Sequence, residues 1–556
     1  MSRNFGIFVT MLKPIFLLGA IVLGVLLGWT VTLTPAPQER DAQFSAYRMY
    51  DHLQTIAAEE RSVFHPERRM YVRDYIIRTM EGFGLTPVID DFVIQWEDYA
   101  GRTVPLYGSN VFFTIPGRSD TAIMLMAHYD SRGVNWTLHP DTNVHSPGAA
   151  DAGYGIVTMF EIARYFSTRT DLENSIKFFF TDLEEIWMLG AVHASETMDF
   201  SHVNMILNLE ARGIRGPIYM FETNANDFNV VRFFRNATNH RHSYSLATAI
   251  FRMMQNDTDL SPFIDLGFAG MNFAPLDSLM YYHTADDSLE HVNLRTLQKY
   301  ALMIADIVEY YATDSRFSDV NYFVTDRSGV YFTLPFGGLA LYNDIVAIVL
   351  AIITFVIAVG LCVYLLFLGY ISLDNVLRWA GFNLIALAVA AVIGTGVGFI
   401  VSLVTGQPFY LTYVPLRGEM FIMWPMVTGT LAAFAIIHFI KAERYNKHEM
   451  AISGILLLAV IQLALAFIMV QATFLVLVPL VLAVAFYSLS NLNIAQENNA
   501  LSALFAALPL AIMGFILVPV MIAFTLALTV GALGILMALA IFILMPFPSL
   551  WVDDSY

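Results

Sequence analysis

From residue 344 to residue 547 the chain runs through apolar segments with only short polar breaks, at roughly 344–369, 379–404, 420–440, 450–470, 473–490, 501–526 and 529–547. Runs of this kind leave few folding options, because about 20 consecutive apolar residues cross a hydrocarbon core as a helix rising about 1.5 Å per residue. An eighth run, PIFLLGAIVLGVLLGWTVTL, follows Lys13. It is long and lacks a clear small-x-small cleavage site, which favours an anchor over a cleaved signal peptide. Eight spans are therefore predicted, seven of them after residue 342.

Composition agrees with two solvents for one chain. Hydrophobic residues make up 57% of the sequence and charged residues 14%, with a mean hydropathy of +0.58. After residue 342 the basic residues are Arg378, Arg417, Lys441, Arg444 and Lys447, whereas residues 35 to 340 have the composition of a water-soluble domain. The breaks LDNVLR and KAERYNKHE, with Arg3 and Lys13 near the start, are the basic segments that the positive-inside tendency places in the cytoplasm. Counting spans from a cytoplasmic N-terminus puts both breaks on that same side. The expected organisation is a cytoplasmic segment 1–13, an anchor 14–33, an extracytoplasmic domain 34–341, a domain of about seven spans 342–547 and a cytoplasmic tail 548–556. Short loops and a compact domain favour a bacterial cell membrane over an organelle membrane with a lumenal domain. A net charge of −17 excludes the basic face that nucleic acid requires. The single cysteine, Cys362, rules out an intrachain disulfide.

Within 34–341, strand-like runs alternate with helix-like segments: TAIMLMA, GYGIVTMFEIARYFSTR, SIKFFFT, VNMILNLE. That alternation predicts an α/β domain with a mixed, largely parallel central sheet flanked by helices, and in such sheets chemistry gathers at the carboxyl ends of strands. Those ends hold the candidates. His128 and Asp130 follow TAIMLMA, Asp151 lies in the loop SPGAADAGYG, Glu184 and Glu185 follow SIKFFFT, Glu210 follows VNMILNL, and His283 stands in YYHTADD. Each has a plain alternative: an H-x-D pair occurs by chance, a Glu-Glu pair usually faces solvent, Asp151 suits a helix N-cap, and His283 can cap or pack. Taken together, histidines and carboxylates without a thiolate form a ligand set for zinc or a similar divalent ion at a catalytic site. His139 and His145 read as solvated loop residues, and the N-x-S/T sequons at Asn135, Asn236 and Asn256 as chance. His438 reads as an interfacial residue. With almost no ionisable residues, the spans read as an anchor bundle.

The order of these elements resembles the M28 family of zinc-dependent metallopeptidases, in particular its membrane-embedded branch, which includes the endoplasmic reticulum metallopeptidase and the fungal vacuolar membrane protease. The resemblance covers roughly residues 45 to 312. It implies a zinc aminopeptidase-like fold, peptide substrates and two Zn2+ per chain. It further implies one ion held by His128, Asp151 and Glu210 and the other by Asp151, Glu185 and His283. Glu184 becomes the general base and Asp130 the carboxylate that orients His128. Apart from the resemblance, Tyr282 beside the last ligand reads as a donor to the oxyanion or as a packing aromatic. Two other readings keep the same residues: a peptidase-fold binding or assembly protein without activity, and a single-zinc enzyme similar to glutaminyl cyclases. The stretch between Asp130 and Asp151 is longer, and IWMLGA after the glutamate pair differs, from the pattern of compact soluble members. Both differences bear on the shape of the substrate pocket.

Overall fold

The computed structural model describes residues 2–97, 102–133, 144–253, 256–410, 414–442 and 446–551. The chain divides into two compact units. One comprises residues 32–329 and 337–341, and the other comprises 1–31, 330–336 and 342–556.

The first unit is built on a seven-stranded sheet. Its strands are β1 (Val88–Glu97), β2 (Thr103–Ile115), β3 (Ser119–His128), β4 (Asn174–Thr181), β5 (Val203–Leu209), β6 (Arg215–Thr223) and β7 (Gly270–Asp277), in the order β1-β2-β4-β3-β5-β7-β6. The four central strands β4, β3, β5 and β7 run parallel, while β1, β2 and β6 pair antiparallel at the edges. The mixed, mostly parallel α/β architecture is the one expected. Its cause is visible in the residues: β3 and β5 are apolar without alternation and buried along nearly their whole length, as strands covered on both faces must be.

The helix Gly153–Phe166 covers one face and is buried along almost all of its length. It lies so close to the sheet that a Cβ on Gly155 would stand 2.2 Å from the carbonyl oxygen of Leu209. The helix Leu294–Ala312 lies against the sheet as well. Its Tyr300 hydroxyl sits 3.0 Å from the carbonyl of Glu210 and 2.8 Å from that of Phe273, tying the end of β5 to the middle of β7. On the other face, Phe112 and Phe179 stack at 4.2 Å within a cluster that includes Met124, Phe200 and Phe263.

The second unit is helical. Among the described residues, six helices are long and apolar enough to cross a membrane: Pro14–Thr32, Asp344–Phe367, Leu373–Thr405, Met420–His438, Lys447–Ile468 and Asn499–Leu528. Two of the eight expected segments form shorter apolar helices, Phe474–Ser490 and Val530–Leu544. The break LDNVLR is itself helical, because Ser372 caps the helix Leu373–Thr405 through the N–H of Asn375. His438, at the end of Met420–His438, is buried, with its ring 5.3 Å from that of Trp379. Small residues permit close packing: a Cβ on Gly24 would meet the Ala511 carbonyl oxygen at 2.8 Å and the Gly514 Cα at 3.1 Å.

Candidate metal centre

Because β3, β4, β5 and β7 are parallel, their carboxyl ends open at one edge of the sheet, and each delivers a polar side chain there. His128 is the last residue of β3 and pairs with Thr181, the last of β4. Beyond Thr181 the chain turns through Leu183 at φ 59, a left-handed conformation sparsely populated for a branched residue, and so brings Glu184 and Glu185 back to the edge. Glu210 follows β5, and the turn after β7 carries Tyr282 and His283, the latter at φ 55.

These residues converge. His128 Nε2 lies 3.2 Å from Asp151 Oδ1 and 3.5 Å from Glu210 Oε2. His283 Nε2 lies 3.2 Å from Asp151 Oδ2 and 3.4 Å from Glu185 Oε2. The two oxygens of one carboxylate, Asp151, thus face two imidazoles. Potential ligand atoms lie close together in the sets His128–Asp151–Glu210, Asp151–Glu185–His283 and His128–Glu184–Glu185. Asp151 does not cap the following helix, whose N-cap is Ala152.

Asp130 is fully buried and does more than one thing. Its carboxylate accepts the N–H of Glu184 at 3.1 Å and of Glu185 at 3.2 Å, fixing the turn that carries both glutamates. His128 Nδ1 lies 3.1 Å from the Asp130 carbonyl oxygen and 3.5 Å from its carboxylate. The imidazole is therefore oriented from its far side, leaving Nε2 toward Asp151 and Glu210.

The donor set fits divalent cations. Donors each about 2.1 Å from a tetrahedral zinc lie about 3.4 Å from one another, which is the spacing found. Glu185 Oε1 is buried without a hydrogen-bond partner, an arrangement that is costly unless a cation meets it. Burial, reinforced by neighbouring carboxylates, pushes the Glu184 and Glu185 carboxyls up. Burial acts in the opposite sense on His128, but Glu210, Asp130 and Asp151 outweigh it and the imidazole is held well above its usual range. Burial lowers His283 to about 3, keeping that ring neutral and free to ligate. Crowded, buried negative charge of this kind is what bound cations offset.

Several residues that support the site carry no signal in the sequence. Arg61, fully buried, donates from Nε to the Tyr129 carbonyl at 2.7 Å, from Nη2 to Gly148 O at 2.8 Å, and from Nη1 to Pro147 O. It thereby ties the loop that carries Asp151 to the end of β3. Asp287 accepts the N–H of Ala150 at 2.8 Å and of Asp151 at 3.1 Å. Asn208, on the same face of β5 as Glu210, donates to its Oε1 at 3.1 Å and to Asn272 at 3.3 Å; Asn272 donates in turn to Glu222 and Thr258. Arg132 pairs with Glu185 Oε2 at 3.0 Å. Asp259, buried beside Thr181, accepts its hydroxyl, and burial raises the carboxyl to about 8. Only a period-two pairing such as Asn208 with Glu210 had a local cue.

A cavity of about 310 Å³ opens over the cluster, lined by Glu184, Glu185, Tyr282 and His283 on one side and by Phe221, Phe251 and Met188 on another. Tyr282 stacks on His283 at 3.7 Å, and burial pushes its phenol well above the usual range, so it stays protonated. His145 pairs with Glu60 at 2.7 Å and is largely exposed, as a loop residue apart from the cluster. Asn236 is exposed, and Asn256 partly buried. His139 and Asn135 lie outside the described residues.

Residues 110–308 match the model of Peptidase family M28. The Vacuolar membrane protease of Candida dubliniensis is 25% identical over 267 residues, covering 46% of this chain and 27% of that protein. The Vacuolar membrane protease of Lodderomyces elongisporus is 28% identical over 226 residues, covering 39% of this chain and 22% of that one. The chain thus spans about a quarter of the length of these relatives. Among solved structures, the aminopeptidase from Aneurinibacillus sp. strain AM-1 aligns with a TM-score of 0.40 at 12% identity, over 49% of this chain and 94% of that one. The Porphyromonas gingivalis glutaminyl cyclase aligns with a TM-score of 0.38 at 19% identity, over 48% and 98%.

Proposed function

We propose that this protein is a membrane-bound zinc metallopeptidase, an aminopeptidase that cleaves N-terminal peptide bonds at a two-zinc site on the extracytoplasmic side. The observation that carries the reading is Asp151, whose two carboxylate oxygens each lie 3.2 Å from a different imidazole nitrogen. A single ion has no need of a carboxylate divided in this way. His128, Asp151 and Glu210 would hold one ion, and Asp151, Glu185 and His283 the other. Bound there, the ions supply Lewis acidity toward a scissile carbonyl and acidify a water toward neutral pH.

The remaining work falls to the side chains. Glu184, partly open to the cavity, removes a proton from the attacking water and delivers it to the leaving amine nitrogen. Its raised pKa lets it hold that proton between the two events. Tyr282, kept protonated by burial, donates its O–H toward the oxygen on which negative charge develops. Asp130 keeps His128 and the Glu184–Glu185 turn in register. The apolar helices hold the chain in a lipid bilayer as a multi-pass protein, with residues 34–341 extracytoplasmic and residues 1–13 and 548–556 cytoplasmic; a bacterial cell membrane suits the short loops. Peptides are the substrates, and no nucleic acid is involved.

The test is metal analysis of the full chain in detergent beside hydrolysis of an aminoacyl-arylamide panel. About two zinc ions per chain and turnover abolished by a chelator support the reading. One ion per chain with cyclisation of N-terminal glutamine would replace it with the single-zinc alternative, and neither metal nor turnover would leave a binding protein.

A further inference from the structure

Four arginines near the cavity differ in what their guanidinium groups meet. Arg61 is taken up by backbone carbonyls, Arg132 by Glu185, and Arg252 by the carbonyls of Thr223 and Asn224. Arg212 differs. It follows Glu210 by two residues, its backbone N–H donates to Pro275 O at 3.3 Å, it lines the cavity with Glu184, Tyr282 and Phe251, and its charge acts on the nearby Tyr282 phenol. Among the described residues, no hydrogen bond or ion pair engages that partly buried guanidinium. A planar fork of N–H donors facing a partly dehydrated cavity calls for a planar anion, and a carboxylate is its geometric match. The cavity's other charges are mainly acidic, and its lining includes the edge-on pair Phe221 and Phe251, 5.0 Å apart. At about 310 Å³ the space falls at the small end of ligand pockets, which run from about 300 to 1,000 Å³.

We propose that Arg212 is a specificity-determining residue that binds a carboxylate on the leaving residue of a short peptide, so that the preferred substrates are dipeptides or peptides with an acidic second residue. This rests on the peptidase reading above. A free C-terminal carboxylate and an acidic side chain present the same chemistry, and two substrate pairs separate them: Leu-Leu against Leu-Leu-amide, and Leu-Glu-amide against Leu-Gln-amide.

The experiment compares kcat/KM for both pairs in the full-length wild type, Arg212→Gln and Arg212→Lys. The wild type is expected to favour the carboxylate member of one pair by about 10- to 100-fold, the scale of one charge-assisted contact. In Arg212→Gln that ratio collapses toward one through a raised KM, and Arg212→Lys restores part of it. The pair that responds identifies the source. A ratio unchanged in Arg212→Gln, both members falling together, or a wild type indifferent in both pairs overturns the proposal. Calorimetric titration of Leu-Leu and Leu-Leu-amide, and of the Leu-Glu-amide and Leu-Gln-amide pair, into Glu184→Gln and Glu184→Gln/Arg212→Gln reads the same preference without turnover. Absence of hydrolysis with a carboxylate preference that depends on Arg212 would count against the peptidase reading alone. Equal affinity for acid and amide in both pairs would count against this one.

Discussion

Both units bury polar side chains, but they arrange them differently. In the α/β unit, His128, Asp130, Asp151, Glu185 and Glu210 are each at most 7% exposed and converge on one edge of the sheet, with a ligand atom left unpaired in their midst. In the helical unit the buried polar groups are dispersed: some are settled locally, while others, such as the Gln462 amide, have no hydrogen-bond partner among the described residues. Glu449 accepts from the Ser372 backbone and hydroxyl and from Asn375, closing a helix start. His438 sits 2.9 Å from the Phe434 carbonyl of its own helix, and Thr354 donates to Leu350. What sets the sheet edge apart is therefore not the burial of polar groups but the convergence of like charges that are incompletely satisfied.

The comparison can be broken most sharply at Glu184. Glu184→Gln is expected to lower kcat by about 10²–10⁴-fold while zinc content, measured by elemental analysis, is retained; a variant that keeps wild-type turnover would remove the α/β edge as the reactive region. Asp151→Asn should next reduce bound zinc from about two ions to one or none, with loss of arylamide hydrolysis, because one carboxylate serves both sets. Arg61→Ala removes hydrogen bonds to three backbone carbonyls, two of them buried, and should lower stability by roughly 3 kcal/mol or more, seen as a fall in the thermal midpoint together with weaker zinc retention. The helical unit supplies the counterpart: Glu449→Ala should lower the thermal midpoint by the equivalent of about 1–3 kcal/mol and leave kcat/KM within about twofold.

The smallest effect concerns pH. Burial raises Glu222 to about 7, above its unfolded value of about 4.3. The folded state thus binds more protons than the unfolded state between those values, and Glu222 contributes stability that is fully present below about pH 4 and is lost as pH rises through 7. Glu222→Gln should flatten that part of the stability profile by on the order of 1–3 kcal/mol, read by denaturant melts at pH 5 and pH 8.

Much of this architecture was legible because its signals are local. The runs TAIMLMA, SIKFFFT and VNMILNL are parallel strands for the reason that they lack alternation, and they end where expected to within a residue or two. The apolar segments reappear as helices, although LDNVLR, polar in sequence, was drawn into one by the Ser372 cap. The supporting residues of the site were not legible. Arg61 in EERSVF and Asp287 in HTADDSLE resemble solvated charges, and their partners stand 86 and 137 residues away in the chain.

By itself, the sequence determined which segments avoid water and which histidines and carboxylates stand as candidates at strand ends, since side-chain identity and hydropathic periodicity are properties of short stretches. Tertiary structure decided what each charged group meets. It set Asp151 between two imidazoles, turned Asp130 toward the amides of the glutamate pair and left the Arg212 guanidinium without a hydrogen bond or ion pair among the described residues while engaging Arg61, Arg132 and Arg252. Electrostatic pairing depends on distances and burial across strands remote in sequence, and those quantities exist only once the sheet has closed.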